Sequence, residues 1–278
     1  ENRLWDIGRA IVPCNWLQIM ENSMDPVHTE WLHRYFTHYV MERLGQGKDD
    51  PDFWRFAPEV IPHVKIGFDI FEYGIVKRRV LEGDDEQNPL WRIGHPIVFP
   101  NMLRFDQIRV PMDDTHTLYW WYNVHKMPPG EQAPDQAPEE MPLYEVPVPG
   151  VDERGLPTWS VLDNNSGQDN MAWMSQGPIS QRWMEKLGES DKGIILYRRL
   201  LREQVAIVED GGEPMNTFRD PVTNVFLGIP TESQEGIAYR ERGDGVIPRR
   251  AGGITTGRSG KYSPIAQERA RKAGVAAP

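Results

Sequence analysis

Two histidines and an aspartate lie close together near the start of the chain, in the segment ENSMDPVHTEWLH (21–33). Asp25 precedes His28 by three residues, and His33 follows His28 by five. Residues five apart lie about 140° apart around a regular α-helix, so both imidazoles can bind one metal ion only across a widened turn or a break. Asp25, by contrast, is close enough to bind the non-ligating ring nitrogen of His28 and fix its tautomer.

The same segment also has the features of an ordinary helix start. Asp25 is a favourable N-cap, and Pro26 is favourable at the first helical position. Short histidine motifs have low specificity. Spacing alone therefore leaves two interpretations open, a metal site and a helix in which both histidines are structural.

An iron site of the two-histidine-one-carboxylate type needs an acidic residue from another part of the chain. The segment DNNSGQDNMAW (163–173) offers Asp169, in a polar stretch that then becomes apolar and helical. A helix cap or an exposed loop acid is the alternative for Asp169, and Asp163 is the competing candidate. The other histidines lack a comparable spacing and are expected at surface or core positions: His38, His63, His95, His116 and His125.

The elements that must position these residues are a helical start, a sheet and a long helix. Apolar periodicity predicts helices at 10–44 (interrupted at Pro26), 166–176 and 191–209. Alternation of apolar and polar residues predicts strands within 63–83, 95–105 and 106–127, with a hairpin turn at 113–117. This order predicts an α+β fold in which the long helix packs across one face of an antiparallel sheet.

Two segments have too few apolar residues to form a core. Residues 128–158 are rich in Pro, Glu and Gln, and we expect them to wrap the surface or to meet another subunit. Residues 230–278 are rich in Gly and Arg, and we expect an irregular C-terminal tail there. A catalytic domain is therefore predicted at 1–229.

Composition excludes several classes of partner. The 278-residue chain has a net charge of −10, which argues against nucleic acid or an anionic membrane surface as the main partner. It has no apolar run long enough to span a bilayer. Cys14 is the single cysteine, so no intrachain disulfide can form, and we expect a cytoplasmic protein in which Cys14 serves packing.

Two parts of the sequence resemble one enzyme family. CNWLQIMENSMDPVHTEWLH (14–33) resembles the iron-binding stretch of the catalytic domain of Rieske non-haem iron aromatic-ring-hydroxylating oxygenases, whose pattern includes Asp-x₂-His-x₄-His. GQDNMAWMSQGPISQRWMEKLGESDKGIILYRRLLREQ (167–204) resembles the phthalate-dioxygenase-like branch, which includes aryl ether O-demethylases. The two matches occur in the expected order on either side of the predicted sheet.

The resemblance implies a fold and a role for each matched residue. The fold would be a helix-grip domain of the Bet v 1-like or START-like type. His28, His33 and Asp169 would bind a mononuclear Fe(II), and Asp25 would link His28 to a reduced Rieske cluster on a neighbouring subunit. The candidate substrate-binding residues are Asn22, Ser23 and Asn165.

The resemblance also implies an activity. The family activates O₂ to hydroxylate or cis-dihydroxylate an aromatic compound, or to O-demethylate an aryl ether. Its electrons come from a ferredoxin or a flavin reductase through a [2Fe-2S] Rieske cluster, and its subunits form a homotrimer.

One departure from the family is clear. The Rieske cluster needs two Cys and two His, and a chain with one cysteine cannot hold it. The chain also begins without Met, so we expect that the N-terminal Rieske domain is missing from this chain and that the fragment alone is inactive. The alternative from another class is a metal-free helix-grip domain that binds an apolar or aromatic small molecule.

Overall fold

A computed structural model describes residues 2–50, 53, 60–104, 106–127, 130–231 and 261–274 of the chain. The strands are β1 (Arg3–Val12), β2 (His63–Phe71), β3 (Gly74–Leu81), β4 (His95–Val98), β5 (Met102–Leu103), β6 (Gln107–Pro111), β7 (Thr117–Lys126) and β8 (Leu143–Glu145). They form one eight-stranded sheet in the order β2-β3-β4-β5-β6-β7-β1-β8. Neighbouring strands are antiparallel except β1 and β8, which are parallel.

The helices complete an α+β fold. They are α1 (Trp16–Met24), α2 (the consecutive segments His28–Glu30, Trp31–Tyr35 and Phe36–Arg43), α3 (Pro89–Arg92), α4 (Asn165–Met174), α5 (Lys192–Glu209) and α6 (Pro264–Ala273). Short 3₁₀ turns occur at Pro138–Glu140, Trp159–Val161, Arg182–Met184 and Glu189–Asp191. None of the described helices combines the length and the apolar character that a membrane crossing requires.

The first strand differs from the sequence-based expectation. Residues 10–12 were expected to be helical, but they are the end of β1, so that part of the prediction is wrong. β1 pairs along its whole length with β7, from Arg3 opposite Lys126 to Val12 opposite Thr117. The side chains of Ala10 and Val12 are buried in the core on one face of the sheet. Residues 10–12 are all apolar, so they show no alternation of apolar and polar residues. The sequence therefore did not separate the end of this strand from the apolar helix that follows.

The predicted strands and turns in the middle of the chain are confirmed. β2 and β3 form a hairpin in which Gly74 has a φ of 150°, a backbone conformation that residues other than glycine rarely adopt. β6 and β7 form a second hairpin, whose turn is closed by the Met112 N–H donating to the carbonyl of His116 at 3.0 Å. The short and long helices predicted at 166–176 and 191–209 correspond to α4 and α5.

The long helix α5 packs on the β2–β4 end of the sheet and against α1. Tyr197 and Leu200 of α5 are buried in one apolar cluster with the sheet residues Ile75 and Ile97. The α1 residues Met20 and Met24 belong to the same cluster. A second cluster lies under the other end of the sheet, around Ala10, Val12, Ile19, Tyr119 and Trp173. α1 therefore lies between the two clusters and leads directly into the histidine segment.

The two segments expected to lack a core role both contribute to the fold. Within 128–158, β8 extends the sheet beside β1, and Val146 is buried. Residues 264–273 differ from the expected irregular tail because they form α6. Ser263 caps α6 by accepting a hydrogen bond from the Ala266 N–H at 3.0 Å, and Gly274 ends it with a φ of 65°. The rest of the predicted tail, residues 232–260 and 275–278, lies outside the described residues.

Candidate metal centre

A break between α1 and α2 places the first histidine. α1 ends at Met24, and Asp25 has an extended backbone before Pro26. The Asp25 carboxylate accepts hydrogen bonds from the backbone N–H groups of Val27 (2.7 Å) and His28 (3.1 Å). The side chain of Asp25 thus serves the start of α2 as a cap, although helical geometry begins at His28 and not at Pro26.

A π-helical turn places the second histidine. Residues Trp31–Tyr35 are π-helical, and the Phe36 N–H donates to the carbonyl of Trp31 five residues earlier. This is the widened turn that the five-residue spacing requires. The His28 and His33 rings consequently lie edge to face, with centroids 5.1 Å apart and planes at 78°.

The start of α4 places Asp169 opposite the two histidines. The Asn164 side chain caps α4 by accepting from the Gly167 N–H at 3.0 Å. A Cβ at Gly167 would lie 1.8 Å from the carbonyl oxygen of Val161, so only glycine allows the helix to start this close to the preceding turn. That close approach directs Gln168 and Asp169 toward α2.

Hydrogen bonds fix the tautomer of both histidines. The Nδ1 of His28 lies 2.7 Å from the carbonyl oxygen of Asp25, which can only accept, so Nδ1 carries the proton. The Nδ1 of His33 lies 2.9 Å from Oε1 of Gln168. The Gln168 amide is oriented by its Nε2, which donates to the carbonyl of Leu162 at 2.9 Å and to Thr37 Oγ1 at 2.8 Å. In neutral imidazoles, both Nε2 atoms therefore have free lone pairs.

Three candidate ligand atoms converge, and with both imidazoles neutral no proton lies between them. One donor atom from each of His28, His33 and Asp169 lies within 4.8 Å of the other two. The Nε2 of His33 lies 3.3 Å from Oδ1 of Asp169, and this buried oxygen has no hydrogen-bond partner among the described residues. Two ligands each about 2.1 Å from one ion lie about 3 Å apart when they bind at right angles. The arrangement therefore has the spacing of a metal site.

Burial sets the ionisation of this region. Burial, with the neighbouring His33 and Lys77, holds the pKa of His28 well below its ordinary value, so that its imidazole stays neutral. Burial raises the pKa of Asp25, against the opposing effect of the Val27 N–H and of Lys77. A neutral His28 is the form that binds a metal ion.

A cavity of about 160 Å³ adjoins the three converging side chains. All three candidate substrate-binding residues line it, namely Asn22, Ser23 and Asn165. Asp25 does not line it. Asp25 lies instead at a separate surface depression of about 320 Å³, beside Glu21, Glu185 and Arg198. The Asp25 carboxylate is 25% exposed, with Oδ2 at 3.7 Å from His28 Nδ1, so it lies between that histidine and the surface.

The cavity walls include residues that the sequence did not indicate. They come from the sheet and from the turn before β6, and they are Lys77, His95, Leu103, Arg104, Asp106, Gln107, Arg109, Tyr119, Trp121 and Asn123. A sequence signal could have found some of them: Gln107 and Arg109, like Tyr119 and Trp121, are two residues apart in a predicted strand and so lie on the same face. Their common face depends on the pairing of β6 with β7, which spacing alone does not give.

The competing candidates lie elsewhere. Asp163 is buried and accepts a hydrogen bond from Lys261 Nζ at 2.8 Å. His63 contacts Glu30, and His125 contacts Asp6. Of the five histidines expected at surface or core positions, His95 is the one that lines the cavity. Cys14 is buried in the core, and burial raises the pKa of its thiol to about 12.

Comparison with curated proteins finds four oxygenase relatives, while no family model matches the chain. The oxygenase subunit of 5,5'-dehydrodivanillate O-demethylase from Sphingobium sp. (strain NBRC 103272 / SYK-6) is 35% identical over 240 residues, covering 85% of this chain and 52% of that protein. The oxygenase subunit of phthalate 4,5-dioxygenase from Pseudomonas putida is 25% identical, covering 84% of this chain and 58% of that protein.

A third relative is the alpha subunit of phenoxybenzoate dioxygenase from Ectopseudomonas oleovorans, which is 26% identical over 73% of this chain and 45% of its own length. The chain thus spans about half the length of the curated relatives it matches. The resemblance noted in the sequence is confirmed by these independent matches. The chain is a homologue of the oxygenase subunits of Rieske-type ring-hydroxylating and O-demethylating systems, in the phthalate-dioxygenase-like branch.

Proposed function

We propose that this chain is the oxygen-activating part of a terminal oxygenase that acts on an aromatic compound, with Fe(II) bound by His28, His33 and Asp169. The observation that carries the proposal is the 3.3 Å approach of His33 Nε2 to Asp169 Oδ1, two lone-pair atoms with no proton between them. Without an ion this contact is unfavourable. A divalent cation at the same point converts it into two ligand bonds.

The donor set fits iron. Two imidazoles and one carboxylate form the facial triad of non-haem Fe(II) oxygenases, which leaves coordination positions open. When bound there, Fe(II) would supply the activation of O₂. The chain's own residues do the rest. Gln168 and the Asp25 carbonyl hold the imidazoles in the ligating tautomer, and the adjoining cavity receives the substrate.

Asp25 is the proposed entry point for electrons. Its carbonyl binds His28, and its carboxylate is partly exposed at the depression that also includes Glu185 and Arg198. A reduced Rieske cluster on a neighbouring subunit would dock at this depression and not at the substrate cavity. A ferredoxin or a flavin reductase would reduce that cluster, and a homotrimer with a helix-grip catalytic domain would bring the two centres together. The eight-stranded sheet with α5 across one end is compatible with that fold.

Two reactions fit the names of the relatives. One is O-demethylation, in which an aryl methyl ether, O₂, two electrons and two protons give a phenol, formaldehyde and water. The other is cis-dihydroxylation, in which an arene, O₂, two electrons and two protons give a dihydrodiol. The name of one relative states O-demethylation, and the names of two others state dioxygenation. A metal-free binding domain, the alternative from the sequence, is not favoured beside oxygenase relatives and converging ligand atoms.

A single-turnover assay tests the proposal. The Fe(II)-loaded chain is mixed with a chemically reduced Rieske protein, O₂ and a panel of aryl methyl ethers and arenes. Formaldehyde reports O-demethylation, and incorporation of both atoms of ¹⁸O₂ reports dihydroxylation. We expect product from the parent and none from His33→Ala. Equal product from both proteins would refute the assignment of the site.

A second arm of the same assay addresses Asp25. Asp25→Asn keeps side-chain oxygen for capping α2 but removes the charge. We expect the variant to bind iron as the parent does and to turn over at least about ten-fold more slowly, because the link between the Rieske cluster and His28 is weakened. Turnover at the parental rate would refute the electron-entry role.

A further inference from the structure

The carbonyl oxygen of Asp25 accepts hydrogen bonds from two side chains. His28 Nδ1 donates to it at 2.7 Å, and the Lys77 ammonium donates to it at 3.2 Å. Lys77 also donates to the carbonyl of Ser23 at 2.7 Å. A carbonyl oxygen has two lone pairs, so these two donors use both of them. The main-chain partner of His28 is therefore itself bound to a cation.

Lys77 reaches this carbonyl from the sheet. It is a residue of β3, paired with His95 of β4, and it is buried, with 4% of its surface exposed. The carbonyls of Ser23 and Asp25 lie at the end of α1, where carbonyl groups have no partners within the helix. A buried ammonium is a favourable partner for this end of a helix. Its two contacts fix the direction of the Asp25 carbonyl.

A stronger acceptor than this carbonyl lies nearby but does not bind the ring. A carboxylate accepts more strongly than a carbonyl, yet Oδ2 of Asp25 lies 3.7 Å from His28 Nδ1, beyond hydrogen-bond distance. The backbone N–H groups of Val27 and His28 bind the two carboxylate oxygens, at 2.7 Å and 3.1 Å. His28 thus has a neutral acceptor although an acidic side chain stands beside it.

The cation on this carbonyl bears on the oxidation state of a metal bound by His28. An anionic acceptor makes a ligating imidazole more basic, which favours the more highly charged ion. An ammonium on the acceptor has the opposite effect. Its positive charge also repels Fe(III) more strongly than Fe(II). Both effects stabilise Fe(II) relative to Fe(III).

We propose that Lys77 is a positioning residue that holds the carbonyl of Asp25, and not its carboxylate, as the partner of His28 Nδ1, and that it thereby favours Fe(II) over Fe(III). The inference rests on the proposed function for the identity of the metal. The choice of acceptor, by contrast, belongs to the metal-free protein. It leaves the Asp25 carboxylate at the surface depression, where the proposed function places the entry of electrons.

The Fe(III)/Fe(II) midpoint potential of the iron-loaded protein tests the effect of the charge. Lys77→Met keeps the length of the side chain but removes the charge and the donor. We expect the ratio of Fe(III) affinity to Fe(II) affinity to rise about ten-fold, which lowers the midpoint potential by about 59 mV. Lys77→Arg keeps the charge and should recover most of the parental potential. A role limited to packing predicts the parental potential in both variants.

The matched control is Lys65→Met, from the neighbouring strand β2. Lys65 pairs with Glu86, and its side chain is 48% exposed, so we expect the parental potential in this variant. An unchanged potential in Lys77→Met, or an equal fall in Lys65→Met, would overturn the inference. If Lys77→Met does not fold, Lys77→Gln replaces it, because glutamine keeps an N–H donor and lacks the charge. The same fall in potential is expected.

Proton NMR of the metal-free protein separates this inference from the proposed function. The Nδ1–H resonance of His28 is identified by its absence from His28→Ala. We expect this resonance to move downfield in Lys77→Met, because the ring can then turn to the stronger carboxylate acceptor. It should stay in place in Asp25→Asn, because the carboxylate is not its partner. A parental resonance in Lys77→Met, or a large upfield shift in Asp25→Asn, would contradict the inference.

The two experiments fail separately. If the parent binds no iron, the proposed function fails, while the NMR measurement still decides which acceptor Lys77 selects. If iron binds and its potential does not depend on Lys77, only the inference fails.

Discussion

Two clusters of histidine and aspartate in this protein differ in whether their polar atoms have partners. In the first, His28, His33 and Asp169 bring lone pairs together, and Asp169 Oδ1 has no partner among the described residues. In the second, Asp6 accepts from Asn123 Nδ2 at 2.7 Å, from His125 Nε2 at 3.1 Å and from the Ser263 hydroxyl. The same residue types thus build an open site in one place and a closed structural contact in the other.

The comparison shows why residue type alone does not identify a metal site. The Asp6 cluster joins β1, β7 and the N-cap of α6, and its hydrogen bonds hold these elements together. Burial alone would raise the pKa of Asp6, but hydrogen bonds from His125, Ser263 and Asn123 hold it below its ordinary value. A satisfied carboxylate stabilises the fold. An unsatisfied one, as at Asp169, is free to bind an ion.

The largest expected difference between the clusters is in iron affinity. His28→Ala, His33→Ala and Asp169→Ala each remove one ligand, and we expect each to weaken Fe(II) binding by more than about a hundred-fold. His125→Ala, the control from the closed cluster, should bind iron as the parent does. Anaerobic Fe(II) titration followed by metal analysis measures this. Parental iron binding by any ligand variant would remove that residue from the site.

The next difference is in stability. Asp6→Ala leaves the buried Ser263 hydroxyl and the partly buried Asn123 and His125 without this acceptor, and we expect a loss of about 3 kcal/mol in the free energy of unfolding at neutral pH, with iron stoichiometry unchanged. Because the folded-state pKa of Asp6 is lowered, its contribution is present above the ordinary value of 3.8 and is lost as pH falls through the folded pKa. Urea unfolding at several pH values measures both.

The outcome that would contradict this role is a difference between Asp6→Ala and the parent that stays constant as pH falls below 3.8. If Asp6→Ala instead lost iron binding and kept the parental free energy of unfolding, the roles assigned to the two clusters would be reversed.

A smaller effect is expected at the hydrogen-bond partner of His33. Gln168→Leu removes the acceptor for Nδ1–H, so the ring can turn or change tautomer. We expect Fe(II) affinity to fall about ten- to a hundred-fold. Gln176→Ala is the control, because Gln176 lies just beyond the end of α4 and its side chain donates to the carbonyl of Ala172 at 3.1 Å. Equal iron affinity in both variants would show that Gln168 does not orient His33.

The smallest expected change is in the stability of an Asp169 variant, and it distinguishes the carboxylate of Asp169 from that of Asp6. In metal-free protein, Asp169→Asn replaces one of two facing lone pairs with an amide that can donate to His33 Nε2. We expect the free energy of unfolding to stay the same or to rise by about 1 kcal/mol, while iron binding is lost. A loss as large as that of Asp6→Ala would mean that Asp169 has a structural partner after all.

The sequence indicated that His28, His33 and Asp169 belong together, but it did not indicate most of the residues around them. The five-residue histidine spacing required a widened turn, and the π-helical turn Trp31–Tyr35 provides it. Asp169 was a candidate from its polar segment 163–173, with Asp163 as the competitor, and the second matching segment supported it. The hydrogen-bond partner Gln168 stands directly before Asp169, but its contact with His33 spans 135 residues of sequence and was not predictable from spacing.

The closed cluster and the cavity wall depend on long-range pairing. Asp6 faces Asn123 only because β1 pairs with β7 in one register, and a shift of one residue would turn it to the other face. Arg109 reaches the cavity through the pairing of β6 with β7. α6 was missed because Gly- and Arg-rich neighbours obscured its Ser-Pro start. Local signals therefore identified the candidate ligands, whereas the closed cluster and the sheet side of the cavity wall depended on strand register.

Anomalous diffraction at the iron edge, from crystals of the protein equilibrated anaerobically with Fe(II), would locate the ion and identify the atoms that bind it. We expect one strong peak, within bonding distance of His28 Nε2, His33 Nε2 and an oxygen of Asp169, with both Nδ1 atoms still hydrogen-bonded to Asp25 and Gln168. A peak beside Asp6 and His125, ligation through Nδ1, or no peak at the three converging side chains would contradict it.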